Sequence, residues 1–471
     1  FQMMEDAYLR ERATDILDLG TRILAHLQGN EATSRPDDYP DDTILVSEEL
    51  TPAMLGEVPT DKLRAMVSVK GSSNSHVAIL ARAMGIPTVM GAVDLPHAQL
   101  DGKDLIVDGY RGLLFSNPSD ELREQYYAIY EEEQALAEDL EGLLHQPAET
   151  LDGHRIPLWV NTGLITDALR SRDRGAEGVG LYRTEVPFMM KDRFPSESEQ
   201  QEIYREQLET FSPDPVTMRT LDIGGDKALT YFPINEANPF LGWRGIRVTL
   251  DHPEIFLVQV RAMMKASEGL NNLRIMLPMI SNVAEVDTAL HLIYRAHVET
   301  LEEGFKVEMP EVGVMVEVPA AVYQIKDLAQ RVDFLSVGSN DLTQYLLAVD
   351  RNNPRVADLY QAFHPGVLQA LKRIVDDAKA EGKPVSVCGE LAGNPMGAVL
   401  LMAMGYDCLS MNATNLPKVK SVLRGISREW AEKLLEEVIT MESGEVIAST
   451  LQLMLEKAGF GRIIGPNVGL N

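Results

Sequence analysis

Val312-Gly313-Val314-Met315-Val316-Glu317-Val318-Pro319 decides the fold. Five residues pass without a polar side chain, and a carboxylate and then a proline follow at once. A strand with one solvated face alternates apolar and polar residues, whereas a parallel strand covered on both faces reads as a continuous apolar run. Further runs of this kind are Leu158 to Val160, Val179 to Tyr182, Val216 to Arg219, Arg274 to Leu277, Phe334 to Val337, Val385 to Val387 and Cys408 to Met411. Helical stretches separate them. Eight such strands over about 320 residues predict a (β/α)8 barrel of the TIM type.

In a barrel of this kind chemistry gathers where the strands end. Asn161 follows the first run, Arg183-Thr184-Glu185 the second, and Arg219 to Asp222 with Gly224-Gly225-Asp226-Lys227 the third. Glu317 follows the fifth, Ser339-Asn340-Asp341 the sixth with Arg351 one helix on, and Cys388-Gly389-Glu390 the seventh. Glu317 and Asp341 are hard oxygen donors on neighbouring strands and suit Mg²⁺ completed by water and substrate phosphate. Singly, such an acid is more often a helix cap or an ion-pair partner; two on adjacent strands, facing arginines, bring the metal reading level with it. Arg183, Arg219, Arg244 and Arg351 form a set of guanidinium forks that match phosphate and carboxylate bidentately. Cys388 reads either as a small buried residue or as a proton donor to a carbanion. The glycines before Lys227 lack the spacing of a P-loop.

Ahead of the barrel, strand candidates at Ile44 to Val46, Met66 to Val69, Thr88 to Met90, Leu105 to Val107 and Leu113 to Phe115 outline a compact α/β unit. Within it, Gly71-Ser72-Ser73-Asn74-Ser75-His76 leads into a short helical pattern closed by Gly85-Ile86-Pro87. This places an imidazole at a helix N-terminus, where free N–H groups and the helix dipole favour an anion. His76 is therefore either a polar residue in a capping turn or a nucleophile for a phosphoryl group. The other histidines have no such setting. Asn117-Pro118 is expected to open a long helix with Pro118 in its first turn, and residues 119–145 carry nine Asp/Glu and one Arg. The organisation expected is a lone helix in 1–30, an α/β domain in 31–117, a helical linker in 118–147 and the barrel in 148–471.

The chain has 43 Lys+Arg against 71 Asp+Glu, a net charge of -28. That balance argues against nucleic acid or an anionic membrane as partner, so an anionic substrate requires a local arginine cluster. Cys388 and Cys408 are too few for a disulfide framework and fit reduced thiols in the cytoplasm. No run of 18 apolar residues and no signal peptide is present. Beginning at Phe1 inside a helical pattern, the chain reads as a piece of a longer protein.

The motifs Gly71 to Arg82, Gly180 to Glu185, Arg219 to Lys227, Asn238 to Arg244, Val314 to Glu317, Gly338 to Tyr345, Ala348 to Arg351 and Cys388 to Gly393 together resemble enzyme I of the phosphoenolpyruvate:sugar phosphotransferase system. Ser72-Ser73-Asn74-Ser75 before His76 is closer to the nitrogen-branch form, without its upstream GAF domain. The resemblance implies a small swivelling phosphohistidine domain joined to a phosphoenolpyruvate barrel, which is also the dimerisation domain. It implies that His76 takes the phosphoryl group of phosphoenolpyruvate and passes it to an HPr-type carrier. It further implies that Glu317 and Asp341 hold Mg²⁺, that Arg183, Arg219, Arg244, Arg351 and Asn340 clamp the substrate with Lys227, and that Cys388 protonates the enolate to pyruvate. Of the helical subdomain that docks the carrier, only the helix from Glu5 to Leu27 is represented. Two other readings share parts of this pattern. A fragment of a pyruvate phosphate dikinase or phosphoenolpyruvate synthase requires an ATP-grasp domain, for which the 42 residues before Thr43 have no room; a regulatory relay would bind phosphoenolpyruvate without turnover.

Overall fold

The structure, a computed structural model, describes residues 39–464 apart from 51–53, 55–57, 60, 61, 71–80, 82–84, 93, 94, 110, 226, 228, 230, 352, 354, 357 and 358. The helix expected in 1–30 and the segment bearing His76 lie outside the described residues. The chain divides into two compact units, Phe1–Gln134 and Ala135–Asn471.

In the first unit β1 (Thr43–Ser47), β2 (Leu63–Ser68) and β3 (Thr88–Met90) form a parallel sheet in that order. β4 (Leu105–Asp108) and β5 (Leu113–Ser116) form an antiparallel hairpin. Leu50, Val58, Leu63, Met66 and Ala81 make the small core. The helix that follows runs Asp120–Glu141, about 33 Å at 1.5 Å per residue. It starts later than the proline signal implies: Ser119 Oγ accepts from the Leu122 N–H at 3.3 Å, so a hydroxyl caps the first turn and Pro118 stays outside it.

In the second unit, β6 (Leu158–Thr162), β7 (Val179–Arg183), β8 (Val216–Arg219), β9 (Leu273–Leu277), β10 (Glu311–Val316), β11 (Phe334–Val337), β12 (Val385–Val387) and β13 (Cys408–Met411) pair in sequence, each parallel to the next. β13 returns to β6 and closes the barrel. The apolar runs thus become strands within a residue or two of the ranges read from sequence. Every residue of β8, β11 and β13 is buried, as strands sandwiched between a filled lumen and a coat of helices must be. Leu181, Met276, Met315, Phe334 and Cys388, from four strands and the residue that follows β12, form one buried cluster. At the N-terminal ends of the strands, the Arg274 guanidinium stands 3.8 Å from the Phe334 ring centroid and 5.4 Å from that of Trp159. Its Nε donates to Glu311 at 2.8 Å.

Residues 142–147 join the acidic helix to the barrel. Lys420, almost wholly buried, donates through Nζ to the Leu144 carbonyl at 2.7 Å, and Arg424 Nη1 donates to the Pro147 carbonyl at 2.6 Å. Gly175 faces the same carbonyl with φ of +76°, and a Cβ there would stand 1.8 Å from Leu144 O. Gly175→Ala is therefore expected to cost about 2 to 3 kcal/mol in urea denaturation, from a left-handed φ and a backbone clash together. An unchanged midpoint would refute this account of the joint.

Candidate active site

The C-terminal ends of the strands hold a buried cluster of charges. Arg219 closes β8, and its Nη2 donates to Glu185 Oε1 at 2.5 Å while Nη1 lies 3.1 Å from Asp222 Oδ2. Lys227 Nζ reaches the same two acids, Glu185 Oε1 at 3.1 Å and Asp222 Oδ2. Arg244 returns from the irregular excursion between β8 and the helix Ile246–Asp251. Only 1% exposed, it lies between two carboxylates, with Nε 3.2 Å from Asp222 Oδ1 and Nη2 3.1 Å from Asp341 Oδ2. Its Nη1 donates to Tyr345 Oη at 3.2 Å, and Tyr345 in turn donates to the Phe240 carbonyl at 2.5 Å. Arg351 Nη2 approaches Asp341 Oδ1 at 3.7 Å.

Charges this far from water persist only when paired. Burial works to raise the carboxyls of Asp222 and Asp341, but Arg244 and the neighbouring cations overcome it and hold both below the usual carboxylate range. For Arg244 burial works downward, and Asp222 and Asp341 more than offset it, so the guanidinium stays charged. The positions of these groups are set from behind. Gln259 Oε1 accepts from the Leu221 N–H at 2.8 Å, its Nε2 donates to Thr184 Oγ1 at 3.2 Å, and Thr184 Oγ1 donates to the Arg219 carbonyl at 2.7 Å.

Glu317 is the exception. It follows β10, is fully buried, and uses Oε1 to accept the Met279 N–H at 2.6 Å. Met279 has φ of +55°, a left-handed conformation that a non-glycine residue adopts at a cost, and the carboxylate contact holds it there. Oε2 is buried with no hydrogen-bond partner among the described residues. Gly338 lets the chain pass beside it, since a Cβ at that position would stand 2.9 Å from Oε2. Burial first, then Asp341 and Asp222, push the Glu317 carboxyl up to about 8. An orphaned buried oxygen near other acids is a place where positive charge is favoured. Among the described residues no three His, Cys, Asp or Glu side chains form a metal-holding group, so Glu317 and Asp341 would supply two ligands and leave the rest to water and substrate oxygen. That donor set fits Mg²⁺.

Cys388, after β12, is buried, and burial pushes its thiol up to about 11, so it stays protonated at neutral pH. Arg183 at the end of β7 is exposed and makes no ion pair among the described residues; its charge draws the Cys388 thiol slightly the other way. Asn340 Oδ1 accepts from the Glu390 N–H at 2.9 Å, and its NH₂ group can serve only as a donor. The residues collected at the strand ends therefore meet in one place, with Asp222, a weaker carry-over of the motif resemblance, and Glu185, to which sequence alone assigned no role, as counter-ions. Gln259, Tyr345 and Met279 were not anticipated. The signal for Gln259 was a lone amide on the apolar helix Pro253–Ala266.

The family model described as "PEP-utilising enzyme, PEP-binding domain" matches residues 137–428, and "PEP-utilising enzyme, mobile domain" matches residues 39–112. A protein of Escherichia coli (strain K12) named "Phosphoenolpyruvate-dependent phosphotransferase system" is 45% identical over 465 residues, 98% of this chain and 62% of that protein. The chain thus spans less than two thirds of that relative. "Phosphoenolpyruvate-protein phosphotransferase" of Bacillus sp. (strain S) is 38% identical over 451 residues, 95% of this chain and 78% of that protein. A solved structure titled "N-terminal domain of Enzyme 1 - Nitrogen" shares 42% identity, covering 28% of this chain and 52% of its own, with a TM-score of 0.20.

Proposed function

Because the chain belongs to the phosphoenolpyruvate-utilising enzymes of the phosphoenolpyruvate-protein phosphotransferase type, we propose that it transfers the phosphoryl group of phosphoenolpyruvate to His76 and thence to an HPr-type carrier, releasing pyruvate. The observation that carries the proposal is Glu317 Oε2, buried and without a hydrogen-bond partner among the described residues, beside Asp341 at the end of a barrel that also gathers Arg183, Arg219, Lys227, Arg244 and Arg351. A small substrate with two anionic groups, a carboxylate and a phosphate, meets there what the overall charge of -28 denies it elsewhere.

Arg183 and Arg351, the less encumbered guanidiniums, receive the carboxylate and phosphate, while Arg219 and Arg244 add fixed positive charge behind them. Asn340 directs its NH₂ donors to the same group. Glu317 and Asp341 would hold Mg²⁺, whose charge offsets that of the phosphate oxygens. As the P–O bond breaks, the electron pair remains on the enolate and the phosphorus passes to an imidazole nitrogen of His76. The Cys388 thiol then protonates C3, and the positioning of these groups accounts for most of the rate. His76 and the barrel belong to different units, so transfer requires one unit to carry the histidine to the strand ends. The Ser72 to Ser75 variant before His76 favours the nitrogen branch, and the free, buried thiols Cys388 and Cys408 fit a reducing, cytoplasmic compartment. Among the described residues no helix is long and apolar enough to cross a membrane.

The test is to incubate the protein with phosphoenolpyruvate and Mg²⁺ and to map the phosphate. An acid-labile adduct on His76 that disappears in His76→Ala is expected. No adduct, or one that survives the substitution, overturns the proposal.

A further inference from the structure

Asn161, the penultimate residue of β6, reaches past β13 to the segment after β12. Its Nδ2 donates to the Cys388 carbonyl at 2.8 Å, and its Oδ1 accepts from Ser410 Oγ at 2.7 Å. The roles are unambiguous: a carbonyl can only accept, so the NH₂ must face Cys388, and the fully buried Ser410 hydroxyl must donate to the other end. On the opposite side the Cys388 N–H donates to the Val337 carbonyl at 3.0 Å, the thiol approaches that carbonyl at 3.5 Å, and Asn340 holds the Glu390 N–H. The peptide that carries the thiol is thus fastened from both flanks, by residues of β6 and β13 on one and of the β11 end on the other.

We infer that Asn161, oriented by Ser410, is a positioning residue that aims the Cys388 thiol at one face of the enolate. The inference rests on the function proposed above. In the step concerned, the S–H bond breaks and its proton forms the new C–H bond at C3, using the electron pair freed when phosphorus left oxygen; solvent later reprotonates the thiolate. Proton delivery to one face requires the donor to be placed to well under 1 Å, and a displacement of that order costs about a hundredfold.

Asn161→Asp keeps the acceptor for Ser410 and loses the donor to Cys388, while Ser410→Ala frees the amide to rotate. The experiment uses the full chain with phosphoenolpyruvate stereospecifically deuterated at C3, in tritiated water, reading the chirality of the pyruvate methyl group alongside His76 phosphorylation. Wild type is expected to give one enantiomer. Both variants are expected to give mixed chirality, pyruvate formation slowed about 10- to 100-fold, KM within about twofold of wild type and an undiminished His76 phosphate burst. Chirally pure pyruvate at the wild-type rate, or a burst and KM that deteriorate together with the rate, overturns the inference. Ser410→Ala, which removes a single hydroxyl, decides the matter if Asn161→Asp does not fold. A wild type that places no phosphate on His76 overturns the proposed function, whereas variants indistinguishable from a phosphorylating wild type overturn only the role of Asn161.

Discussion

Arg244→Met is expected to abolish turnover and to destabilise the barrel by about 3 to 5 kcal/mol, the range for breaking a buried ion pair from one side. Methionine keeps the length and apolar volume of the stem, so the loss isolates the charge. Asp222 would retain Arg219 and Lys227, but among the described residues Asp341 would keep one ion-pair partner, Arg351 at 3.7 Å. In the wild type both carboxyls lie below their unfolded values, so their contribution to stability is present above the unfolded carboxylate pKa and is lost as pH falls through the folded one. The variant lacks much of that contribution. The gap between the two proteins in urea denaturation should therefore be widest at neutral pH and narrow on acidification. Equal stability at pH 7 would rule out Arg244 as the bridge between Asp222 and Asp341. Arg244→Lys should fall between, because an ammonium is a point charge and cannot bridge two carboxylates as a fork does.

Glu317→Gln is expected to reduce phosphorylation of His76 by at least about a thousandfold while stabilising the cation-free protein at alkaline pH. The sign follows from the raised carboxyl. A folded value of about 8 lies above the unfolded one, so the stabilising contribution is complete below the unfolded pKa and disappears as pH rises through 8. Glutamine mimics the protonated form and never ionises. With a chelator present, the variant should gain on the wild type by roughly 2 to 4 kcal/mol between pH 5 and pH 9. Added Mg²⁺ should raise the thermal midpoint of the wild type and leave the variant unmoved. A variant that tracks the wild type across this range, with and without Mg²⁺, would exclude Glu317 as the buried unpaired acid.

The barrel was legible because its strands are covered on both faces, which turns each into a continuous apolar run such as Val312 to Val316. Their ends then marked the site, and Glu317, Asp341, Arg219 and Cys388 could be collected without knowing a single contact. Pairings were less legible. Nothing local distinguishes the Arg244 that bridges Asp222 and Asp341 from a surface arginine, since its partners lie 22 and 97 positions away and its own segment is irregular. Tyr345 and Met279 act through a hydroxyl and a backbone N–H whose targets exist only after folding. At Pro118 two local signals competed, and the Ser119 hydroxyl, which satisfies a real donor, set the helix start.

Arg274, lodged between Phe334 and Trp159, occupies the end of the lumen remote from the charges. The barrel is in this respect a cup and not a corridor. Whatever enters must leave by the same rim, so a departing keto acid and an incoming substrate queue for one doorway. Under the proposed function, pyruvate should inhibit competitively against phosphoenolpyruvate, and the histidine can be served only while that doorway stands open.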